Sequence, residues 1–186
     1  DTVVGMVKNA LAIEIDGVAL AGVPNRMTLR ELEFYLPVRR LSKRILADIF
    51  GGRGSVPPGF PQMLEELRLD ETRGFLRGFI DLVFASGGKY YLLDWKSNRL
   101  GSDIEHYGQE SMEDAMVRNY YVLQYHLYTA ALHTYLQKRL GGYSYQEHFG
   151  GVIYVFLRGV DPARGPEYGV YRAMPEWEVI RDLSAR

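Results

Sequence analysis

The chain has 186 residues, of which 47% are hydrophobic and 24% are charged, and its formal net charge is −1. This balance fits one ordinary globular domain and excludes wholesale disorder, while the near-neutral charge gives no general signal of nucleic-acid binding. The absence of cysteine excludes disulfides and cysteine-ligated zinc or iron–sulfur centres, and it favours a cytoplasmic, reducing compartment. No apolar run reaches membrane-spanning length, and no basic-then-apolar leader opens the sequence.

The first half of the chain predicts helices on either side of a strand. Apolar residues at helical spacing predict helices at Val3–Ile15, Arg39–Phe50 and Gln62–Leu67. Glycine, proline and polar residues predict turns or loops at Asp16–Gly17, Gly22–Asn25 and Gly51–Pro61. Alternation of apolar and polar residues predicts a strand over Leu29–Val38 that ends at Pro37.

The second half holds the strongest strand signal. Gly74–Ala85 and Lys89–Lys96 are predicted strands, and Ser86-Gly87-Gly88 between them is typical of a tight hairpin. The remaining elements are a long helix broken near Arg118–Tyr121, a doubly covered strand, an edge strand and a closing helix, at Ile104–Leu140, Gly150–Leu157, Tyr168–Arg172 and Pro175–Leu183. We therefore expect an α/β domain with a central mixed sheet of about four or five strands flanked by helices.

Two aspartates interrupt the apolar strands of the predicted hairpin. Asp81 lies within Phe79–Phe84, and Asp94 follows Tyr90–Leu93. An unpaired carboxylate in such surroundings costs several kcal/mol, and two on paired strands would repel each other unless a cation lay between them. A divalent cation satisfies both, and Mg²⁺ prefers carboxylate oxygens plus waters.

Lys96 lies two residues after Asp94, so alternation predicts that both side chains share one face of the strand. An ammonium group there can polarise an attacking water or stabilise charge developing on a phosphate, while a metal ion activates the water. The alternative is a pair of solvated aspartates beside a surface lysine, which a bare D-x-K on a strand would favour. Asp81, on a second apolar strand, favours the metal site.

Basic and aromatic residues offer possible contacts with DNA. Arg39, Arg40, Lys43 and Arg44 would form one cationic helix face, and Arg99 follows the Asp94 strand; such groups can neutralise phosphates. A solvated face is the more common explanation of such a charge run. The tyrosines could stack on single-stranded bases or belong to the core, among them Tyr90, Tyr91, Tyr120, Tyr121 and Tyr125.

The motifs together resemble the RecB-family nucleases of the PD-(D/E)XK superfamily, which have a restriction endonuclease-like fold. The resemblance covers nearly the whole chain and rests on ELEFYLP (Glu31–Pro37), GFIDLVF (Gly78–Phe84), YYLLDWKSNRLG (Tyr90–Gly101), LQYHLYTAALHTYL (Leu123–Leu136) and HFGGVIYVFLRGVD (His148–Asp161). It implies that Asp81 and Asp94 are ligands of Mg²⁺, a place that Ca²⁺ or Mn²⁺ can also take, and that Lys96 is the catalytic lysine.

The resemblance implies further site residues on other elements. Gln124 and Tyr128 match the family's Q-x-x-x-Y motif, which borders the active site, and their i, i+4 spacing puts them on one helix face. Without the resemblance they would be interpreted as a polar seam against the sheet. The family also has a glutamate on the strand before the hairpin. Alternation cannot choose between Glu31 and Glu33, the family spacing favours Glu31, and either could be an exposed strand acid.

One departure from the family concerns histidine. The family usually has a metal-ligating histidine on a helix upstream of these motifs, whereas all four histidines follow Lys96, at His106, His126, His133 and His148. His126 and His133 are predicted helix residues, and His148 a loop residue. The chain also starts at Asp1 without a methionine. We therefore expect a single nuclease domain, residues 1–186, that is a C-terminal fragment lacking the upstream helix and that binds metal weakly or cuts poorly alone.

The function implied by the resemblance is Mg²⁺-dependent hydrolysis of DNA within a RecBCD-type helicase–nuclease of double-strand break repair and recombination. The implied partners are DNA, RecC- and RecD-like subunits and RecA. Two alternatives stay open: a catalytically silent docking module of the same fold, and a stand-alone exonuclease or junction resolvase of the same superfamily.

Overall fold

The computed structural model describes residues 2–15, 17–51 and 56–185. Its helices are α1 Thr2–Leu11, α2 Lys43–Phe50, α3 Phe60–Glu66, α4 Gln109–Arg118, α5 Tyr121–Arg139, α6 Tyr145–His148 and α7 Trp177–Ser184. Short 3-10 turns occur at Leu20–Gly22, Asn25–Met27, Ile104–Tyr107 and Leu157–Gly159. The strands are β1 Glu14–Ile15, β2 Val18–Ala19, β3 Thr28–Leu41, β4 Thr72–Ser86, β5 Lys89–Lys96, β6 Phe149–Phe156 and β7 Val170–Ala173.

The strands form a two-stranded hairpin, β1-β2, and a five-stranded mixed sheet with the order β3-β4-β5-β6-β7. The α/β class, with a mixed sheet flanked by helices as in restriction endonuclease-like folds, is therefore confirmed. Within the described residues, no helix has the length and apolar character that crossing a membrane would require.

The chain forms two compact units. The first comprises the described residues within 1–32, 80–115 and 150–173, and the second those within 33–79, 116–149 and 174–186.

The first unit has a core built on one face of its strands. Alternate residues on three strands are buried together with Ala10 of α1, namely Leu82 and Phe84, Tyr91 and Leu93, and Ile153 and Val155. Tyr91 stacks on Phe84 with ring centres 4.9 Å apart. Tyr91 is therefore a core aromatic, which was one of the two roles considered for it; the other was stacking on a base.

The core of the second unit is helical. Helix α5 packs against α7, and α2 packs against α3. Phe50 and Phe60 are fully buried and meet edge to face at 5.1 Å. Helix α2 begins after Ser42, whose hydroxyl caps it by accepting a hydrogen bond of 3.4 Å from the Ile45 N–H. Tyr125 is also buried in this unit, so its ring too belongs to a core.

Three predictions about the first half of the chain are wrong. The helix expected over Val3–Ile15 ends at Leu11, and Glu14–Ile15 form strand β1. The strand that was expected to end at Pro37 continues to Leu41, because β3 is the outer strand of the sheet and an outer strand tolerates a residue without an N–H donor. The helix expected over Arg39–Phe50 begins only at Lys43.

The single cationic helix face therefore does not form. Arg39 and Arg40 lie on β3, whereas Lys43 and Arg44 lie on α2. Arg40 forms an exposed ion pair with Glu71 at 2.7 Å, and Lys43 donates a hydrogen bond to the carbonyl oxygen of Glu65. The helical apolar spacing that starts at Leu41 cannot show where the preceding strand stops.

The hairpin and the interrupted helix are confirmed. Strands β4 and β5 are antiparallel with Ser86 opposite Lys89, which leaves a two-residue turn at Gly87-Gly88 with φ of 56° and 78°. The long helix breaks at Tyr120, where φ is 55°, between α4 and α5. The predicted turn at Asp16 and part of the predicted loop, residues 52–55, lie outside the described residues.

Candidate active site

The β4–β5 hairpin brings Asp81 and Asp94 together. Its register pairs Leu82 with Leu93, and Asp81 and Asp94 are the residues next to that pair, one on each strand. Asp81 is half-buried, whereas Asp94 is only 3% exposed. The Trp95 N–H donates a hydrogen bond of 2.9 Å to Oδ2 of Asp81. The backbone of β5, which carries Asp94, thus orients the Asp81 carboxylate on β4.

Lys96 makes an ion pair with Asp94. Its Nζ lies 2.6 Å from Oδ2 of Asp94 and 4.9 Å from the ring centre of Tyr154. Lys96 is 8% exposed, so both partners are largely removed from water. The face of the Tyr154 ring adds a favourable contact for the ammonium group.

Burial is the main influence on the Asp94 carboxyl and raises its pKa above the ordinary value. The hydrogen bond and the charge of Lys96 act in the opposite direction, and the charge of Asp81 adds a smaller increase. Two neighbouring acids of which one resists ionisation are a common feature of catalytic sites, because a cation bound between them relieves both burial and repulsion.

The donor set fits Mg²⁺. Among the described residues no group of three or more histidine, aspartate and glutamate side chains can hold a metal ion, so a closed structural zinc site is not formed there. Mg²⁺ differs from zinc in that one or two carboxylates suffice, the other positions being taken by water and substrate phosphate oxygens. Asp81 and Asp94 are the two carboxylates that would form such a pair, and their role as ligands stays a prediction.

Glu31 lines a cavity together with Asp81. The cavity has a volume of about 840 Å³, and Arg30, Leu82 and Trp95 also line it. Glu31 has a φ of 48°, a left-handed conformation that is uncommon outside glycine and recurs at functional sites. Glu31 and Asp81 line the same cavity, and a role for Glu31 in the reaction stays a prediction.

Glu33, the other glutamate that alternation allowed, lies in the second unit on exposed surface. Its carboxylate accepts hydrogen bonds from the Tyr35 hydroxyl at 2.9 Å and from Arg77 at 2.6 Å. These two bonds, that of Tyr35 first, lower the pKa of Glu33. Glu33 therefore fits the alternative of an exposed strand acid, which was left open for both glutamates.

Gln124 and Tyr128 lie on one face of α5, in the second unit. The Gln124 side-chain amide donates a hydrogen bond of 3.0 Å to the Tyr128 hydroxyl. Phe34 meets the Tyr128 ring edge-on at 5.3 Å, and a Cβ on Gly78 would lie 2.7 Å from Phe34. These contacts fit the polar seam against the sheet, and the expected role beside DNA stays a prediction.

The histidines make contacts within the fold. His126 is fully buried, its Nδ1–H donates a hydrogen bond of 2.8 Å to the carbonyl oxygen of Val122, and burial lowers its pKa to about 4. His133 packs against Trp177 with ring centres 5.1 Å apart. His106 caps the 3-10 turn at Ile104–Tyr107, and His148 ends α6, so the predicted loop position of His148 is corrected.

Several contacts at the site were not predicted. The hydrogen bond from the Trp95 N–H could not be predicted, because every residue except proline has a backbone N–H. Tyr154 meets Lys96 only because β6 follows β5 in the sheet, an order that the sequence does not state. Arg30, held at 2.9 Å by the side-chain oxygen of Asn25, reaches the cavity from β3. Arg99, which was considered as a phosphate contact in the sequence analysis, is exposed just after the end of β5.

Known proteins with similar sequences decide the family. No family model matches the chain. The RecBCD enzyme subunit RecB of Escherichia coli (strain K12) is 46% identical over 165 residues, which cover 88% of this chain and 14% of that protein. This chain is homologous to a segment of RecB. The RecB subunits of Haemophilus influenzae and Mycolicibacterium smegmatis are 40% and 32% identical, over 90% of this chain in both cases.

The RecB relatives are much longer than this chain, which corresponds to 14%, 13% and 17% of their lengths. The family resemblance found in the motifs is therefore confirmed over most of the chain. What the complete RecB subunit does is a property of the longer protein.

Proposed function

We propose that this RecB homologue is a Mg²⁺-dependent DNA nuclease domain that hydrolyses phosphodiester bonds. The main support is the cluster of Asp81, Asp94 and Lys96 on one hairpin, with Asp94 almost fully buried and Lys96 at 2.6 Å from it. A solvated strand surface gives no reason for burying an acid next to a second acid, because that arrangement destabilises the fold unless a cation binds.

Asp81 and Asp94 would hold the ion. When bound, Mg²⁺ supplies an activated water and neutralises charge on the scissile phosphate. The Trp95 N–H occupies Oδ2 of Asp81 and orients that carboxylate. Lys96 has three N–H groups, so it can retain Asp94 while it donates to a phosphate oxygen or to the attacking water. Glu31, which lines the same cavity as Asp81, would bind or orient a water there.

We further propose that the domain works within a RecBCD-type helicase–nuclease in double-strand break repair and recombination. The similar proteins are subunits of the RecBCD enzyme, which supports RecC- and RecD-like subunits as partners. RecA is proposed as a partner from the family resemblance alone.

Cutting of linear single- and double-stranded DNA by the purified 186-residue chain, with and without Mg²⁺, tests the proposal. Lys96→Ala should lower the rate by about a hundredfold or more, the range found when one charge-stabilising group is removed from an active site. Lys89→Ala is the matched control, since Lys89 is an exposed lysine at the other end of the same strand. Far-ultraviolet circular dichroism should show that both variants are folded.

Cutting that survives Lys96→Ala would remove the proposed mechanism. If the chain does not cut, Mn²⁺ binding followed by calorimetry gives an independent result: binding that is lost in Asp81→Asn supports the metal site. No binding, and no cutting even by a longer chain extended at its N-terminus, would support a silent docking module. Cutting without any dependence on RecC- and RecD-like subunits in the cell would support a stand-alone exonuclease or resolvase.

A further inference from the structure

An exposed sheet surface in the second unit carries three aromatic rings and an arginine. We call it the aromatic face, and it consists of Tyr35, Phe75, Arg77 and Phe79. Phe75, Arg77 and Phe79 follow each other at two-residue intervals on β4, so they project from one side of the strand. Phe75 is 68% exposed, Tyr35 on β3 is 58% exposed and Phe79 is 48% exposed. Large aromatic side chains left in water on a regular strand are typical of a binding surface.

Arg77 joins the rings into one surface. Its guanidinium lies 5.9 Å from the Tyr35 ring centre and 5.5 Å from the Phe79 ring centre. It also pairs with Glu33, but the side chains of that pair are 60% and 38% exposed. Water and salt screen such a pair, so an arriving phosphate can take the place of Glu33 on the guanidinium.

The composition of the face favours nucleic acid over an apolar protein surface. Residues 33–41 and 71–79 contain four arginines and two glutamates, so the strands that carry the rings have a positive balance. The rings of Phe75 and Phe79 are four residues apart on β4 and so about 13 Å apart along the strand, which leaves room for a flat base against each one. Aromatic rings that alternate with cations are the means by which single strands are bound without sequence preference.

Single-stranded nucleic acid fits better than duplex. The bases of a duplex are stacked on each other, and only their edges are accessible in the grooves. The rings of the aromatic face can use the flat surface of an unstacked base, whereas they have no matching group on the outside of a duplex.

We propose that the aromatic face binds single-stranded DNA, with bases stacked on Tyr35, Phe75 and Phe79 and a phosphate on Arg77. The choice of DNA over RNA rests on the proposed function. The face uses no residue of the Asp81–Asp94–Lys96 cluster, so binding does not require metal.

Fluorescence anisotropy of a labelled short oligothymidylate, measured on the 186-residue chain in EDTA, tests the proposal. Tyr35→Ala and Phe79→Ala should each weaken binding by about tenfold, as expected when one base-stacking ring is removed. Tyr35→Phe and Phe79→Tyr keep a ring and should bind as the wild type does. Met174→Ala is the matched control, because it removes an apolar side chain that is 55% exposed elsewhere in the second unit.

A competitor strand of the same charge without bases separates stacking from attraction to phosphate. It should displace the oligothymidylate poorly, and duplex DNA should do the same. Equal competition by the baseless strand, wild-type binding by both alanine variants, or no binding by the wild type would each overturn the proposal. If instead a RecC-like subunit binds the wild type and loses affinity for the alanine variants while their DNA binding is unchanged, the face is a protein-docking surface.

These outcomes are independent of the nuclease proposal. Lys96→Ala should bind the oligothymidylate normally in EDTA. If the chain cuts DNA in Mg²⁺ but its alanine variants bind like the wild type, the nuclease proposal stands and the aromatic-face proposal fails. If the chain binds DNA through the aromatic face, but it binds no Mn²⁺ and the N-terminally extended chain does not cut DNA in Mg²⁺, the nuclease proposal fails and the aromatic-face proposal stands.

Discussion

The Lys96–Asp94 pair and the Arg77–Glu33 pair both join a cation to an acid at 2.6 Å. Their surroundings differ, since the side chains of the first pair are 10% and 5% exposed and those of the second are 60% and 38% exposed. Burial raises the pKa of Asp94, whereas the hydrogen bonds of Tyr35 and Arg77 lower the pKa of Glu33. The same two charges thus give opposite electrostatic results in the two places.

The comparison shows why a short ion pair alone says little about function. In water, each partner is already solvated and the pair adds little. Inside the protein, the charges are retained at the expense of stability, and each depends on the other. A buried pair next to a second acid is therefore a stronger indication of chemistry than the more numerous pairs on the surface.

Removal of the cation should affect the two pairs very differently. Lys96→Ala should lower the free energy of unfolding by about 3–5 kcal/mol, because Asp94 is left buried without a partner. Arg77→Ala should leave the urea midpoint nearly unchanged, because Glu33 is exposed and water solvates its carboxylate when Arg77 is removed. Urea unfolding at neutral pH measures both, and equal losses would show that burial does not explain the contrast.

The pH dependence of Lys96→Ala sharpens the same point. The raised pKa of Asp94 means that the folded state takes up a proton more readily than the unfolded state, in which the ordinary value is 3.8. Stability from this group therefore increases as the pH falls through the raised pKa. The deficit of Lys96→Ala should shrink as the pH is lowered from neutrality toward 3.8, and a constant deficit would argue against a buried charge.

His126 extends the contrast to a group that is neutral when buried. Its pKa is lowered from 6.5 to about 4, so the unfolded chain binds the proton first and stability is lost as the pH falls from 6.5 to about 4. The loss should be about 3 kcal/mol. His126→Asn keeps a donor near Nδ1 without titrating in this window and should have a flatter profile. An unchanged profile in His126→Asn would show that this imidazole is not the source of the acid sensitivity.

The smallest expected effect is on the acid pair itself. Asp81→Asn should lower the pKa of Asp94, because the charge of Asp81 is one of the causes that raise it. Carbon-13 NMR of the aspartate carboxyl groups measures the shift. Asp103→Asn removes an exposed charge that does not contribute, and should leave the Asp94 titration where it is. An unchanged titration in Asp81→Asn would mean that the two carboxylates do not interact.

The parts of the molecule that were predictable are those with a local signal. The hairpin was predictable because Gly87 and Gly88 lie between two apolar strands. The break in the long helix near Tyr120 was predictable as well. The end of β3 was not predictable. Pro37 disfavours a strand only where a neighbouring strand needs its N–H, and the order of strands in the sheet is not a local property of the sequence. The shared face of Asp94 and Lys96 followed from alternation, whereas their ion pair and the contact of Lys96 with Tyr154 of β6 did not.

The choice between Glu31 and Glu33 shows the same limit at the site. Alternation treats the two alike, but Glu31 adopts a φ of 48°, which no rule based on regular strands can anticipate. Only the structure places it on the cavity wall with Asp81. The residue types of the site were therefore predictable, and the grouping of residues from separate strands was predictable only in part.

The two-glycine turn between β4 and β5 has a consequence for tolerance to insertion. It fixes which residues of the two strands oppose each other, and a shift of one residue in a single strand would turn that strand's side chains to the opposite side of the sheet. Asp94 and Lys96 would then face away from Asp81 while both strands stayed intact. A single inserted residue beside Gly87 could thus leave a well-folded domain in which the acids no longer meet.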